Sequence, residues 1–176
     1  MSFAEKYKNR KRDTVHVIGD SLVRGVGKKL EANSHMFTAT SRPGYKIEDI
    51  EKEVSRLQNN KDRHLVVMVG TNNCQEDYSE EMLEKYEKLI KQCKSVESRA
   101  VTIVGIPRRC DLDSEQDSRR IGVNKRLALK CKEYKVEYIG YECGRNRLAR
   151  DGLHLNDLGQ DEFAQVIFTH CKYFLG

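Results

Sequence analysis

The sequence has no apolar run approaching the ~20 residues of a membrane-spanning helix; the longest are short, such as "LVVMV" at 65–69. Its opening stretch, "MSFAEKYKNRKRD", lacks the apolar core of a signal peptide, so an intracellular, cytoplasmic location is expected. The six cysteines, at 74, 93, 110, 131, 143 and 171, form no C-x-x-C pair. That excludes zinc ribbons and thioredoxin-like redox motifs. Cys93, Cys131 and Cys171 lie on helical patterns and read as buried residues. Cys74, Cys110 and Cys143 each follow a strand candidate, and only their convergence could build a metal site. No metal or other cofactor is expected. With only two prolines there is no Pro-rich linker, and no internal repeat or low-complexity stretch occurs. The 176 residues suffice for one well-buried domain and are too few for two ordinary ones.

What the chain does have is charge, 34% of its residues, unevenly placed. Residues 1–12 hold Lys6, Lys8, Arg10, Lys11 and Arg12 against Glu5 alone, which is +4 of the net +5. The expected organisation is a basic arm or linker, 1–12, on a nearly neutral domain, 13–176. Such an arm suits contact with nucleic acid or anionic lipid, and a plain solvated linker reads equally well. Nothing here fixes the oligomeric state.

Apolar runs alternate with amphipathic segments along the domain. Strands are predicted at 14–18, 36–40, 65–70, 101–106 and 136–140. Helices are predicted at 22–32, 46–59, 79–97, 117–134 and 157–174. Met82, Leu83, Tyr86, Leu89, Ile90 and Cys93 recur at helical spacing, as do Ile121, Leu127, Ala128, Cys131 and Tyr134, with Asn124 intruding. The last helix is expected to bury Leu158, Phe163, Val166, Ile167, Phe168, Cys171 and Phe174. Strands alternating with helices imply right-handed βαβ units and a parallel sheet covered on both faces. Ligands in such sheets gather at the carboxyl ends of the strands. That directs attention to the loops 19–25, 41–45, 70–78, 107–116 and 141–156.

Those loops hold the least ordinary residues. "GDS" ends with Ser21 at a predicted helix start, where unsatisfied N–H groups favour either a nucleophile's charge or a plain N-cap hydroxyl. Val23 stands where the α/β-hydrolase elbow G-x-S-x-G needs glycine, so that scaffold is excluded. "SRPGYK" places Gly44 at a bend whose N–H is free to face a cleft, or at an ordinary turn. "GTNNC" offers Asn72 and Asn73 as non-titrating donors, or as Asx-turn residues. "RDGLH" sets Asp151 three residues before His154, spacing that lets the carboxylate orient the imidazole, or that makes a structural pair. His16, His35, His64 and His170 have no such carboxylate. Arg24, Arg145, Arg147 and Arg150 lie near these residues and are candidates for binding an anionic substrate group.

Taken together, "GDS", "PG", "GTNN" and "DGLH" resemble, in order and spacing, the blocks of the SGNH hydrolases, or GDSL esterases and lipases. The match runs from about 13 to 174. Position 73 departs from the pattern, with Asn where many members have Asp. The resemblance implies a flavodoxin-like three-layer α/β/α sandwich with a five-stranded parallel sheet. It also implies Ser21 as nucleophile, His154 as base and Asp151 as its orienting partner. The oxyanion hole would comprise the Ser21 and Gly44 N–H groups and the Asn72 side chain, with Arg24, Asn73 and Arg150 as further substrate contacts. "GDSLVRG" and "GTNN" are most similar to the esterase domain of LINE-type retrotransposon first-open-reading-frame proteins. The chain also looks like small platelet-activating-factor acetylhydrolase-type esterases.

The expected function is therefore hydrolysis of short acyl or lipid esters through an acyl-enzyme. The alternative is a nucleic-acid- or lipid-binding module with a vestigial site. Its support is the arm together with Arg108, Arg109, Arg119, Arg120, Lys125 and Arg126, although no RNA-recognition motif, zinc knuckle or stacking signature is present.

Overall fold

The computed structural model describes residues 13–175, with side chains described as far as 172. The predicted arm, 1–12, and the side chain of Phe174 lie outside the described residues. Five strands form one sheet: β1 (Thr14–Gly19), β2 (Phe37–Ser41), β3 (Asn60–Met68), β4 (Ser98–Val104) and β5 (Glu137–Ile139). All pair in parallel, in the order β2-β1-β3-β4-β5. Between and after them run α1 (Val23–Asn33), α2 (Ile47–Ser55), α3 (Ser79–Ser95), α4 (Ser114–Glu133) and α5 (Asp157–Leu175).

Both faces of the sheet are apolar because successive side chains point opposite ways. Ile18, Leu65, Val67 and Ile103 enter one core, beneath the inward stripes of α2, α3 and α4. Val15, Val17, Val66, Met68 and Val104 enter the other, beneath α1 and α5. This is the expected three-layer arrangement. Cys93, Cys131 and Cys171 are fully buried in it. Cys74 lies in the first core, whereas Cys143 lies in the second with Cys110 packed against it. The sheet separates Cys74 from the other two, and the described residues contain no cluster able to hold a metal.

Two expected core residues face solvent instead. Ile121 is exposed because the inward stripe of α4 runs through its neighbour Arg120, then Val123, Leu127 and Cys131. The Arg120 guanidinium is buried and donates to the Ile106 carbonyl and Glu142. Leu158 is exposed because Gly159, beside it, faces inward at the start of α5, where an added Cβ would lie 2.4 Å from the Arg147 carbonyl. Asn124 interrupts its stripe for a clear reason: its amide pairs with both the N–H and the C=O of Ile106.

The path of the chain creates a crevice. The β1–β2 crossover leads to one side of β1 over the second core and the β3–β4 crossover to the other side over the first, so the connections after β1 and β3 part in opposite directions. A switch of this kind opens a cleft at the carboxyl ends of those strands. Gly19 closes β1 there, with so little room that a Cβ would sit 1.8 Å from the Met68 carbonyl oxygen. Gly19→Ala should cost about 1–3 kcal/mol through overpacking, read as a lower urea midpoint with an unchanged slope. An unchanged midpoint would show that the β1–β3 contact is not this tight.

Candidate active site

The loop after β1 is built around Asp20. Its N–H donates to the Met68 carbonyl at 3.2 Å, and its own carbonyl accepts from the Val23 N–H at 3.2 Å and the Ser41 hydroxyl at 3.0 Å. Its Oδ1 takes the Leu22 N–H at 3.0 Å. The entry to α1 is therefore fastened by Asp20, and the expectation that Ser21 caps the helix is corrected. The Ser21 hydroxyl faces away from those N–H groups and lies 3.0 Å from His154 Nε2.

His154 comes from the long connection between β5 and α5. A short antiparallel bridge, Leu148 with Leu155, pins its base, and the Ala149 N–H donates to the His154 carbonyl at 2.8 Å. Gly152 turns the chain with φ 69°, and its carbonyl accepts from the Cys110 N–H at 2.7 Å, which ties this loop to the one after β4. Asp151 Oδ1 accepts the N–H groups of Leu153 and His154, both at 2.9 Å. Its Oδ2 lies 2.6 Å from His154 Nδ1. With Nδ1–H donating to the carboxylate, Nε2 is left as an acceptor for the Ser21 hydroxyl. The bond from His154, then the two backbone N–H groups, holds the Asp151 carboxyl at a pKa of about 2. It therefore stays ionised across the neutral range. Both side chains are open to water, with 41% of His154 and 50% of Asp151 exposed.

The loops after β2 and β3 adjoin this row. The Arg42 N–H donates to the Gly19 carbonyl at 2.8 Å, bringing the β2 loop against the end of β1. Gly44 has φ 79° with open space where a Cβ would project, so its glycine serves the backbone angle and not close packing. Asn72 sits in a turn of 3-10 helix, Thr71–Asn73, and its Nδ2 donates once, to the Tyr45 carbonyl at 2.9 Å. A second Nδ2 hydrogen remains. Neither the Ser21 nor the Gly44 N–H has an acceptor among the described residues. Three donors on adjoining loops are thus uncommitted.

Asn73 does not belong to this set, which corrects its expected substrate contact. It is fully buried; its Oδ1 accepts the Ile47 N–H at 3.0 Å and its Nδ2 donates to Asp77 and Glu48 at 2.7 and 3.2 Å. It holds the start of α2 against the β3 loop, and so steadies Gly44 and Tyr45. Arg24 and Arg150 are exposed at the rim, while Arg147 is bound to Glu162 at 2.7 Å.

A family model described as the GDSL-like Lipase/Acylhydrolase family matches residues 17–162. The chain belongs to that family. It is by class a carboxylic ester hydrolase. Among solved structures, a lipolytic protein of the G-D-S-L family from Veillonella parvula is 19% identical, with a TM-score of 0.74 over 89% of this chain and 98% of that one. A carbohydrate acetylesterase family member from Sinorhizobium meliloti is 14% identical, with a TM-score of 0.72 over 93% and 99%. An acetylxylan esterase mutant from Geobacillus stearothermophilus is 11% identical, with a TM-score of 0.69 over 89% and 93%. At these identities the likeness is one of fold. No curated protein matches the chain.

Within this GDSL-family site, Asp20 is the residue that sequence reasoning missed. Only its position, a good capping residue directly before a helix, could have signalled it. Its side chain is 1% exposed and Oδ2 has no hydrogen-bond partner. Burial pushes its pKa up to about 7, against the pull of the Leu22 N–H, the His154 and Arg109 charges and the Thr71 N–H. Arg109 cannot pair with it directly, because its guanidinium is bound to Asp111 and the Thr71 carbonyl. The other histidines serve the scaffold: His64 and His170 both bond the Thr102 hydroxyl, at 2.7 and 2.9 Å, and His16 bonds Thr38 at 2.8 Å.

Between about pH 4 and 7, native Asp20 keeps a proton that the unfolded chain has released. Its contribution to stability is present below that window and is lost as pH rises through it. Asp20→Asn removes this dependence while adding a constant cost for the amide. The stability of the variant relative to wild type should therefore rise from pH 4 to pH 7.5, by up to ~4 kcal/mol. Urea titrations at the two pH values measure it, and a difference independent of pH would show that Asp20 is ionised throughout.

Proposed function

We propose that the chain is a serine esterase that removes short acyl groups, with Ser21 as nucleophile, His154 as general base and Asp151 as the carboxylate that orients and stabilises the imidazole. The observation that carries this reading is the continuous row from Ser21 Oγ to His154 Nε2 at 3.0 Å and from Nδ1 to Asp151 at 2.6 Å. Ser21 Oγ attacks the ester carbonyl as its proton passes to Nε2. Negative charge develops on the carbonyl oxygen and meets the Ser21 N–H, the Gly44 N–H and the free Asn72 amide hydrogen, preset donors whose effect is largest in the transition state. His154 then returns the proton to the departing alkoxide. In the second half it draws a proton from water, which attacks the acyl carbonyl and frees Ser21. No step requires a metal. A small acyl group such as acetyl is suggested by the fold neighbours described as a carbohydrate acetylesterase family member and an acetylxylan esterase. The retrotransposon resemblance rests on "GDSLVRG" and "GTNN" alone.

A binding module built on the basic helix surface has less support. Arg109, Arg119, Arg120 and Arg126 are engaged with Asp111, Glu115, Asp117, Glu142 and Glu80, which leaves Arg108 and Lys125 of the expected set. A contact through residues 1–12 is unaffected by this. Among the described residues no helix is long and apolar enough to cross a membrane.

On 4-nitrophenyl acetate, Ser21→Ala should abolish turnover without moving the melting temperature; a variant that retained wild-type rates would end the assignment. Asn72→Ala should lower kcat about a hundredfold, near 3 kcal/mol for one lost oxyanion donor. Because Asn72 also holds the Tyr45 carbonyl, its melting curve should be recorded alongside. Asp151, held at about 2, should stay ionised and add no inflection to the rate above pH 4.

A further inference from the structure

The carboxylates in the loops around the cleft are all engaged. Glu76 is bound by Lys46, Asp77 by Lys85, Asp111 by Arg109 and Glu142 by Arg120. Asp113 accepts the Gln116 N–H and Asp151 holds His154. The arginines divide differently. Most of those described have a carboxylate within 4.0 Å. Arg63 has none but is bound to the Gln58 and Glu97 carbonyls and the Ser98 hydroxyl, and Arg56 lies at the far end of the sheet, just before β3. The remaining unpaired ones are Arg24, Arg108, Arg145 and Arg150. All four are exposed, and all four stand at the carboxyl end of the sheet.

Their backbones are tied to the catalytic row. The Arg24 N–H donates to the Ser21 carbonyl at 3.3 Å, so this side chain leaves the first turn of α1 beside the nucleophile. Arg150 directly precedes Asp151. Arg108 reaches the Cys143 carbonyl at 3.5 Å, which joins the β4 loop to the stretch that carries Arg145. The Cys110 N–H, on the Gly152 carbonyl, joins the same two loops a second time. The acids of these loops are bound, whereas these four guanidiniums have no carboxylate within 4.0 Å. A guanidinium offers paired donors matched to carboxylate or phosphate oxygens, and unmatched positive charge at a cleft mouth draws anions into it.

Resting on the esterase reading above, we infer that the ester taken by this site carries an anionic oxygen group, phosphate or carboxylate, outside the reacting bond, and that Arg24 and Arg150, assisted by Arg108 and Arg145, receive it. The arginines bind and orient; they take no part in the proton transfers at Ser21 and His154.

Three acetate esters of one shape test this: 4-acetoxybenzoate, 4-acetoxyphenyl phosphate and the neutral 4-acetoxybenzamide. At low ionic strength the kcat/KM ratio of an anionic ester to the neutral one should be tenfold or more, and should shrink as salt rises. Comparing carboxylate with phosphate shows which anion is preferred. Arg24→Gln and Arg150→Gln should each cut the ratio about threefold, and the double variant should bring it near unity. Arg56→Gln, at the far end, should leave it unchanged. A wild-type ratio near unity, with Ser21-dependent turnover of the amide intact, overturns the inference and spares the esterase reading. Should none of the three esters be hydrolysed, the esterase reading falls, and direct titration of 4-hydroxyphenyl phosphate followed by NMR still decides the anion site. Binding weakened in the double variant supports the site, and binding equal to wild type removes it.

Discussion

Four hydrogen bonds of a single residue hold the catalytic end of this molecule together. Asp20 is bonded through its N–H to β3, through its carbonyl to α1 and to Ser41 at the end of β2, and through its carboxylate to the Leu22 N–H. Gly19 before it admits the β3 backbone at a distance no side chain would tolerate. Ser21 is therefore positioned by the main chain of β1, β3 and α1 and by the Ser41 hydroxyl, and does not depend on its own side chain to find its place. Because the capping duty falls to the neighbouring carboxylate, the hydroxyl is free to meet His154.

Asp20 also brings an electrostatic cost into the site. An acid buried without a direct cationic partner is uncomfortable when charged, and its nearest guanidinium is held elsewhere by Asp111. In the proposed mechanism the charge that develops on His154 is positive, and it acts on the Asp20 carboxyl.

Much of this was legible in the sequence, and the failures follow a pattern. The sheet, its two apolar faces and the loops at its carboxyl edge follow from hydrophobic periodicity, which is strong wherever a strand is buried on both sides. The first half of β3, "NKDRH", was invisible because its exposed residues are polar, although Asn60 and His64 pair with Ser98 and Ala100. α4 starts earlier than its apolar stripe suggested because Asp113 and Gln116 cap one another. Arg120 was read as surface charge because a buried arginine looks like any other until its partners, Glu142 and the Ile106 carbonyl, are located. Asn72 and Asn73 are indistinguishable in one dimension. One keeps a hydrogen of its amide uncommitted and the other is locked among Ile47, Glu48 and Asp77, although both lie in one 3-10 turn.

The half-exposed state of His154 and Asp151 bears on the later half of a reaction cycle. A buried triad must admit each water through a channel, so the lifetime of a covalent intermediate reflects delivery as well as bond-breaking. Acting as the proposed base, a side chain as open as His154 meets solvent directly, and with it any other small hydroxyl compound dissolved there. In the proposed mechanism an acyl group on Ser21 is thereby open to water and to small alcohols alike, a choice set by their relative abundance and nucleophilicity.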